Sequence, residues 1–204
     1  MSHRVAILGG VRTPFCKAGG PLAASAADDL GGFVVSELIA RTGIDPRAID
    51  EVVFGNVAQP IHAANIARVI ALKGGVPRDV VAYSVHHNCA SGLQAVSTAA
   101  RHLMTGEASL IVAGGVESMS GIPLMYGPEM TAMFTKLARA KRMRDRIKAL
   151  ASFRPKHLQP VIALKLGLTD PVCGMNVGQT AEVLAREFSI SRAEQDAFAL
   201  ESHL

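Results

Sequence analysis

The sequence predicts an α/β fold, a mainly parallel sheet with helical crossovers, on three observations. Short runs rich in Val, Ile and Leu alternate with segments whose apolar residues recur at helical spacing. Hydrophobic residues make up 49% of the chain against 19% charged, enough to build a core. Aromatics are scarce, with no Trp, two Tyr and seven Phe, so that core rests on Ala, Val, Leu and Ile, which suit tightly packed layers.

The elements follow in order. The opening Met1-Ser2-His3-Arg4 leads straight into a predicted strand, Val5 to Leu8, with no signal-peptide core. A helix is expected over Asp28 to Arg41, with Leu30, Phe33, Val34 and Leu38 on one face and Gly43 as its stop. Asp45-Pro46 starts a short helical turn, because proline suits a first helical position. Glu51 to Val57 is the second strand. Ala63, Ile66, Ala67 and Ile70 mark a helix closed by Gly74-Gly75, and Val80 to His86 is the third strand. Ala90 to Met104, with no Pro and one Gly, forms the next helix, Leu110 to Ala113 the fourth strand, and Gly114-Gly115 opens a loop. The helix from Ala90 is apolar nearly all round until its end, a pattern that requires cover on both sides.

Beyond Ser120 the character changes. Seven of the 21 basic residues fall between Lys136 and Lys148, with Asp145 the one acid among them. Met133, Leu137, Ala140, Met143, Ile147 and Leu150 recur through the same stretch, so it reads as one basic amphipathic helix. Three roles compete for it: a solvated surface, a site for a phosphorylated ligand or an anionic membrane surface, and a nucleic-acid contact. The last is disfavoured, because no aromatics interleave with the basic residues. Phe153 to Pro171 reads as an irregular, proline-punctuated connection. Two helices close the chain, one over Thr180 to Phe188 and one introduced by the capping box Ser191-x-x-Glu194. The second reaches Leu204 without a terminator, as though the chain were cut there.

Several classes are disfavoured. Cys16, Cys89 and Cys173 are widely spaced with no C-x-x-C, which argues against a disulfide framework or zinc site and for a reducing, cytoplasmic setting. No apolar run reaches membrane-spanning length. Leu8-Gly9-Gly10 is not followed by the glycines of a dinucleotide fingerprint. No sequence period of repeat-protein length occurs.

The chemistry concentrates at His86-His87-Asn88-Cys89-Ala90-Ser91-Gly92. Cys89 stands where a strand ends and a helix begins, facing the positive end of the helix dipole and unpaired backbone N–H groups. Such a thiol is suited to nucleophilic attack, and the same N–H groups to an oxyanion; the alternative is a small buried hydrophobe. His87 lies two residues away and points parallel to the thiol, which disfavours it as a local base. Cys16 and Cys173 read as structural. Gly114 and Gly115 serve either a close backbone approach or a tight turn. Glu117 reads as a hydrogen-bonding carboxylate, with Asn56 similarly placed.

Several segments resemble the thiolases, a family of acyl-CoA acyltransferases. They are Arg12-Thr13-Pro14, Val53-Phe54-Gly55-Asn56-Val57, Asn88-Cys89-Ala90-Ser91-Gly92, Gly114-Gly115-Val116-Glu117-Ser118-Met119-Ser120 and Gly178-Gln179-Thr180-Ala181-Glu182, with Ile190-Ser191-Arg192 and Gln195-Asp196 behind them. Phe153 to Gly174 is similar to thiolases of the trifunctional β-oxidation type.

The resemblance implies the amino-terminal half of a five-layered αβαβα fold with a partial helical loop-domain insert. Residues 1–120 would be the amino-terminal α/β domain and residues 121–204 the insert, incomplete at its carboxy end. It implies that Cys89 takes up an acyl group as a thioester, with coenzyme A thioesters as substrates and no further cofactor or metal. The acyl group passes to coenzyme A in thiolysis or to acetyl-CoA in condensation. Asn176, Val177 and Gly178 fall where the family lines the acyl pocket, and Val177 replaces a frequent Met.

The family also uses a His-Pro histidine, an asparagine and a second cysteine, all in its later half. None of the seven histidines here precedes Pro. The implied partners are acyl-CoA and either a second copy or a complementary carboxy-terminal half; the charge pattern of the basic helix adds membrane-surface contact as an expectation and no nucleic acid. Two alternatives stand beside this reading: a non-catalytic split-gene interaction module, and kinship with condensing enzymes of the ketoacyl synthase kind.

Overall fold

The structure, a computed structural model, describes residues 4–204, which divide into two compact units with the chain boundary between Ile122 and Pro123. Met1, Ser2 and His3, read above as leading into the first strand, lie outside the described residues.

In the first unit the elements run α1 (Ala27–Thr42), β1 (Glu51–Gly55), α2 (Ile66–Lys73), β2 (Val81–Val85), α3 (Ser91–Thr105) and β3 (Ile111–Gly115). The strands form a parallel sheet in the order β2-β1-β3, aligned so that Glu51 faces Val81 and Ile111, and Gly55 faces Val85 and Gly115. The crossover from β1 to β2 runs one way along the sheet and that from β2 to β3 the other. With right-handed crossovers, α2 and α3 must then lie on opposite faces. Val52, Phe54 and Val112 join Ile66 and Ile70 of α2 and Ala27 and Val35 of α1 in one buried cluster. The strands alternate faces, so Val53, wholly buried, belongs to the side that α3 covers.

The local chemistry accounts for these boundaries. Gly43 adopts φ 67° and donates its N–H to the carbonyl of Ile39, ending α1 where the sequence placed the stop. Asn65 caps α2 through Arg68 N, so the helix begins three residues later than its first apolar position suggested. Glycines let α1 and α2 meet: a Cβ on Gly31 would collide with the Ile70 side chain, and one on Gly32 would lie 2.6 Å from Lys73 Cβ.

The foot of the sheet is polar. His102 of α3 and Glu51 of β1 meet at 2.8 Å, while burial and then the Glu51 carboxylate push Tyr83 up to about 12.

Two expectations are corrected in this unit. Val5 to Leu8 forms no strand: none of the three strands pairs with it, and Ile7 and Leu8 are exposed. An extended run becomes a strand only when a neighbour takes up its backbone groups. Gly114 and Gly115 do not open a loop; they complete β3. The cover expected on both sides of α3 is present on one. Ala95 and Ala99 are buried, whereas Leu93, Val96 and Met104 stand 72%, 45% and 42% exposed.

The second unit comprises β4 (Leu124–Tyr126), α4 (Pro128–Arg139), α5 (Met143–Ala151), β5 (Pro160–Ile162), α6 (Ala163–Gly167), α7 (Val177–Glu187) and α8 (Arg192–His203). The predicted single basic helix is two helices, broken over Ala140–Arg142, where both caps adopt extended backbone. A straight helix would leave its apolar positions in water. Folding α5 back lets Met130, Met133 and Ala149 become buried. The connection read as irregular holds β5, paired antiparallel with β4 from Leu124↔Ile162 to Tyr126↔Pro160. Proline is tolerated there because it starts a strand at an edge. The Ser191–Glu194 capping box forms as expected, with Ser191 Oγ accepting from Glu194 N at 3.3 Å. Among the described residues, no helix is long and apolar enough to cross a membrane.

A buried ionic node ties α1 to α2. Asp28, in the first turn of α1, accepts from Lys73 Nζ at 2.5 Å and lies 3.0 Å from His62 Nε2. Burial alone would raise its carboxyl, but hydrogen bonds from Lys73 and His62 outweigh burial and lower it from the ordinary 3.8. The unfolded chain therefore takes up this proton first as pH falls. Asp28 contributes its full stability above pH 3.8 and loses that contribution as pH drops through the lower folded value. Urea unfolding between neutral and acid pH is expected to show stability declining below about pH 4, with a shallower decline in Asp28→Asn. Identical slopes in the two proteins would refute the assignment.

Candidate active site

The strand order creates a point of divergence that the sequence alone did not reveal. After β1 and β2 the chain leaves toward opposite faces of the sheet, and open α/β sheets bind ligands where connections diverge in this way, at the carboxyl ends of the strands. Cys89 lies there, four residues past the end of β2 and two before the start of α3, with its side chain exposed.

The turn that carries it is held by backbone and one serine. Asn88 adopts φ 48°, a left-handed conformation that asparagine tolerates better than most residues. Ala90 N and Ser91 N donate to the carbonyls of His87 and Asn88, each at 3.0 Å. Ser91, 3% exposed, donates its hydroxyl to Asn88 O at 2.6 Å and accepts His87 N at 2.8 Å. The N–H groups of Ala90 and Ser91 are therefore engaged within the turn, which corrects the expectation that the whole helix start presents unpaired donors. Sequence reasoning quoted Ser91 only as part of a motif; its signal was a small hydroxyl at the first position of a helix after a tight turn. His87 is turned along α3, its Nδ1 3.3 Å from Gln94 Oε1.

Two glycines, Gly55 and Gly115, form the floor on which Gly92 of α3 rests. A Cβ on Gly55 would overlap the Ser91 carbonyl and lie 2.5 Å from Gly92 N, and one on Gly115 would lie 3.0 Å from Gly92 Cα. The first turn of α3 rests directly on the ends of β1 and β3. Of the two roles open to Gly115, close backbone approach is the one the structure shows.

A polar clamp holds those strand ends. Glu117 accepts from Val57 N at 2.8 Å, from Ala58 N at 3.2 Å and from Asn56 Nδ2 at 3.1 Å. Asn56 Nδ2 also donates to Val116 O at 2.8 Å, while its buried Oδ1 has no partner among the described residues. Both residues thus have the hydrogen-bonding positions expected of them.

Cys16 lies elsewhere in the first unit, exposed in a groove of about 420 Å³ between the Val11–Ala18 segment, α1 and the chain after β3. Cys173 is exposed in the second unit. There too, Asn176 caps α7 by accepting from Gln179 N at 2.9 Å, and Gln179 Oε1 accepts in turn from Asn176 N at 2.9 Å. That capping box starts α7 at Val177, three residues earlier than expected, and leaves Val177 66% exposed beside Gly178. Among the described residues, no group of three His, Cys, Asp or Glu is arranged to hold a metal ion.

This arrangement matches known proteins along its length. Residues 5–204 match the family described as "Thiolase, N-terminal domain". The 3-ketoacyl-CoA thiolases of Vibrio cholerae (strain ATCC 39541) and Aeromonas salmonicida are each 40% identical to it over 201 residues, 98% of this chain, with 46% and 45% of their own lengths matched. Among solved structures, the Bacillus anthracis acetyl-CoA acetyltransferase aligns with a TM-score of 0.79 and 32% identity, over 97% of this chain and 45% of that one. The Acat5 thiolase from Ascaris suum in complex with coenzyme A aligns at 0.77 and 30%, over 96% and 46%. The chain belongs to the thiolase family and has the fold of its amino-terminal part. It spans about half the length of these relatives.

The glycine floor gives a direct test. Gly55→Ala is expected to destabilise the chain by about 1–3 kcal/mol or more, since the obstacle is backbone that cannot rotate away. Gly10→Ala, whose Cβ meets nothing within 4 Å, serves as the control and is expected to change little. Equal urea midpoints for the two variants would contradict the close approach of α3.

Proposed function

We propose that this chain carries the acyl-accepting half of a thiolase active site, with Cys89 as the nucleophile. The observation that carries this reading is the exposed Cys89 thiol on a serine-locked turn, above a glycine floor, at the divergence point of the sheet. The names of the relatives indicate 3-oxoacyl-CoA thioesters as the substrate class, and the coenzyme A bound to the Ascaris suum protein indicates the acyl carrier.

In the thiolysis direction the Cys89 thiolate attacks the 3-oxo carbon. The bond between carbons 2 and 3 breaks, and its electron pair stays on the acetyl-CoA fragment, which takes a proton. The thiol of a second coenzyme A then displaces the acyl group from Cys89. Condensation runs the same steps backwards, with an acetyl-CoA carbanion attacking the thioester. No cofactor beyond these thioesters is required. Val177 and Gly178 are assigned to acyl-chain contact, with Asn176 placing them by capping α7.

The proton transfers need an acid–base group, and family resemblance puts that group and the second cysteine outside this chain. A positioned general base contributes roughly 10²–10⁴ in rate and each oxyanion donor about 10²–10³. The chain by itself is therefore assigned thioester formation at most, with turnover restored by a complementary half or a second copy. The exposed apolar face of α3, Leu93, Val96 and Met104, is the surface that supports such pairing, and it also supports the alternative of a non-catalytic interaction module. The setting proposed is the cytoplasm, in fatty-acid metabolism.

Incubation with acetoacetyl-CoA followed by peptide mass mapping is expected to find the acetyl group on Cys89 and on neither Cys16 nor Cys173. Cys89→Ala should abolish it. Steady-state thiolysis by the chain alone is expected at background. Labelling spread evenly over the three cysteines would sink the nucleophile assignment, and family-like turnover would sink the half-site assignment.

A further inference from the structure

Helices α2, α7 and α8 each begin with a side chain that accepts an N–H of the first turn: Asn65, Asn176 and Ser191. Helix α3 begins without one. Ala90 stands at its cap, and no side chain accepts there. The nearest hydroxyl, that of Ser91, reaches backwards instead. It donates to Asn88 O at 2.6 Å and accepts His87 N at 2.8 Å, while Ser91 N makes a second bond to Asn88 O at 3.0 Å. All three bonds close the segment from His87 to Ser91, within which Cys89 lies.

That segment needs closing. Asn88 is held at φ 48°, a conformation that residues other than glycine adopt at a cost. Cys89 is exposed, so packing does not hold it. Ser91 is also the residue that α3 sets against the sheet, since a Cβ on Gly55 would overlap its carbonyl. One residue thus touches the floor through its backbone and the thiol-bearing turn through its side chain. His87 is held a second time from the same helix, its Nδ1 lying 3.3 Å from Gln94 Oε1.

Two other roles for this serine fit less well. A capping residue would direct its oxygen into α3, and Ser91 directs it out. A reacting hydroxyl would face the substrate, whereas Ser91 is 3% exposed and gives its one donor proton to a backbone carbonyl.

We propose that Ser91 is a positioning residue for acyl transfer: its hydroxyl ties the Cys89 turn to the sheet and so sets where the sulfur stands against the substrate carbonyl. This deepens the reading of Cys89 as the nucleophile and rests on it. The role is placement of the sulfur and not supply of thiolate, because the hydroxyl bonds only to the backbone of residues 87 and 88.

Single-turnover acetylation of the full chain by acetoacetyl-CoA provides the test. Each acetyl group that reaches Cys89 releases one acetyl-CoA, the thiol proton ending on its methyl carbon. S91A is expected to lower the limiting rate about ten- to a hundred-fold, the loss that a small misplacement of a reacting atom brings. The half-saturating concentration should stay within about two-fold, since binding is not what changes. Alkylation of Cys89 by iodoacetamide should also stay within about two-fold across pH, because it reads thiolate supply and access. I70V, which trims the buried cluster on the other face of the sheet, controls for lost stability and should acetylate at the wild-type rate. S91C keeps the atom count but weakens both bonds, and its limiting rate is expected at least about three-fold below wild type. It carries the test alone if circular dichroism shows S91A unfolded.

A limiting rate equal to wild type in S91A, or in S91C where S91A is unfolded, would overturn the proposal. So would alkylation falling as far as acetylation, which would show lost thiolate, or an equal loss in I70V, which would show general loosening. Absence of acetyl on Cys89 in every protein, wild type included, would overturn the nucleophile reading and this proposal together. Equal acetylation of wild type and S91A would overturn the proposal alone.

Discussion

The contact on which the first unit depends is backbone against backbone: the opening turn of α3 rests on the last residues of β1 and β3. A side chain at Gly55 would overlap the backbone of Ser91 and Gly92, and one at Gly115 would press on Gly92 Cα at 3.0 Å, so either would push the layers apart. Because the helix is seated there, Cys89 comes to the carboxyl edge of the sheet at a height set by covalent geometry and not by a flexible loop. At the other end of α3, His102 meets Glu51, so the helix is fixed along its length.

Polar groups divide the work differently from apolar ones. The cluster around Ile66, Ile70, Val52 and Val35 supplies the burial that holds the sheet and two helices together. Ser91, Glu117 and Asn56 bury little area, but they close the backbone groups that β-strands leave open where they end. The site is thus built from the part of the fold where regular hydrogen bonding stops. The unpartnered Oδ1 of Asn56 belongs to the same region, where polar satisfaction is incomplete.

The second unit follows another logic. Its helices α7 and α8 are started by reciprocal capping boxes, local devices that need no tertiary support. Their apolar residues Leu184, Phe188, Phe198 and Leu200 remain exposed, as do Met143, Ile147 and Leu150 of α5. Surfaces of this kind are the ones on which interaction partners act. In this unit exposed apolar surface, and not a deep core, is the conspicuous product of the sequence.

Much of this was legible from residue order. Helical spacing, Gly43 as a stop, the Ser191 capping box, three of the four strands and the motif around Cys89 all rest on interactions within a few residues, which a linear reading captures. The strand expected at Val5 to Leu8 failed because pairing is a property of two segments. The basic helix broke because burying Met130, Met133 and Ala149 outweighs helical continuity. The β4–β5 pair went unread because its strands are 33 residues apart and one begins with proline. The sequence by itself determined the stop of α1 at Gly43, the start of α8 after Ser191 and the place of Cys89 just before α3, since caps and glycines act locally. Only the tertiary structure decided that Gly115 is floor and not turn, that Glu117 and Asn56 clamp the strand ends, and that Cys89 stands where the connections diverge. Each of those depends on strand order, which brings together groups 23 to 61 residues apart and leaves no periodic trace in the chain.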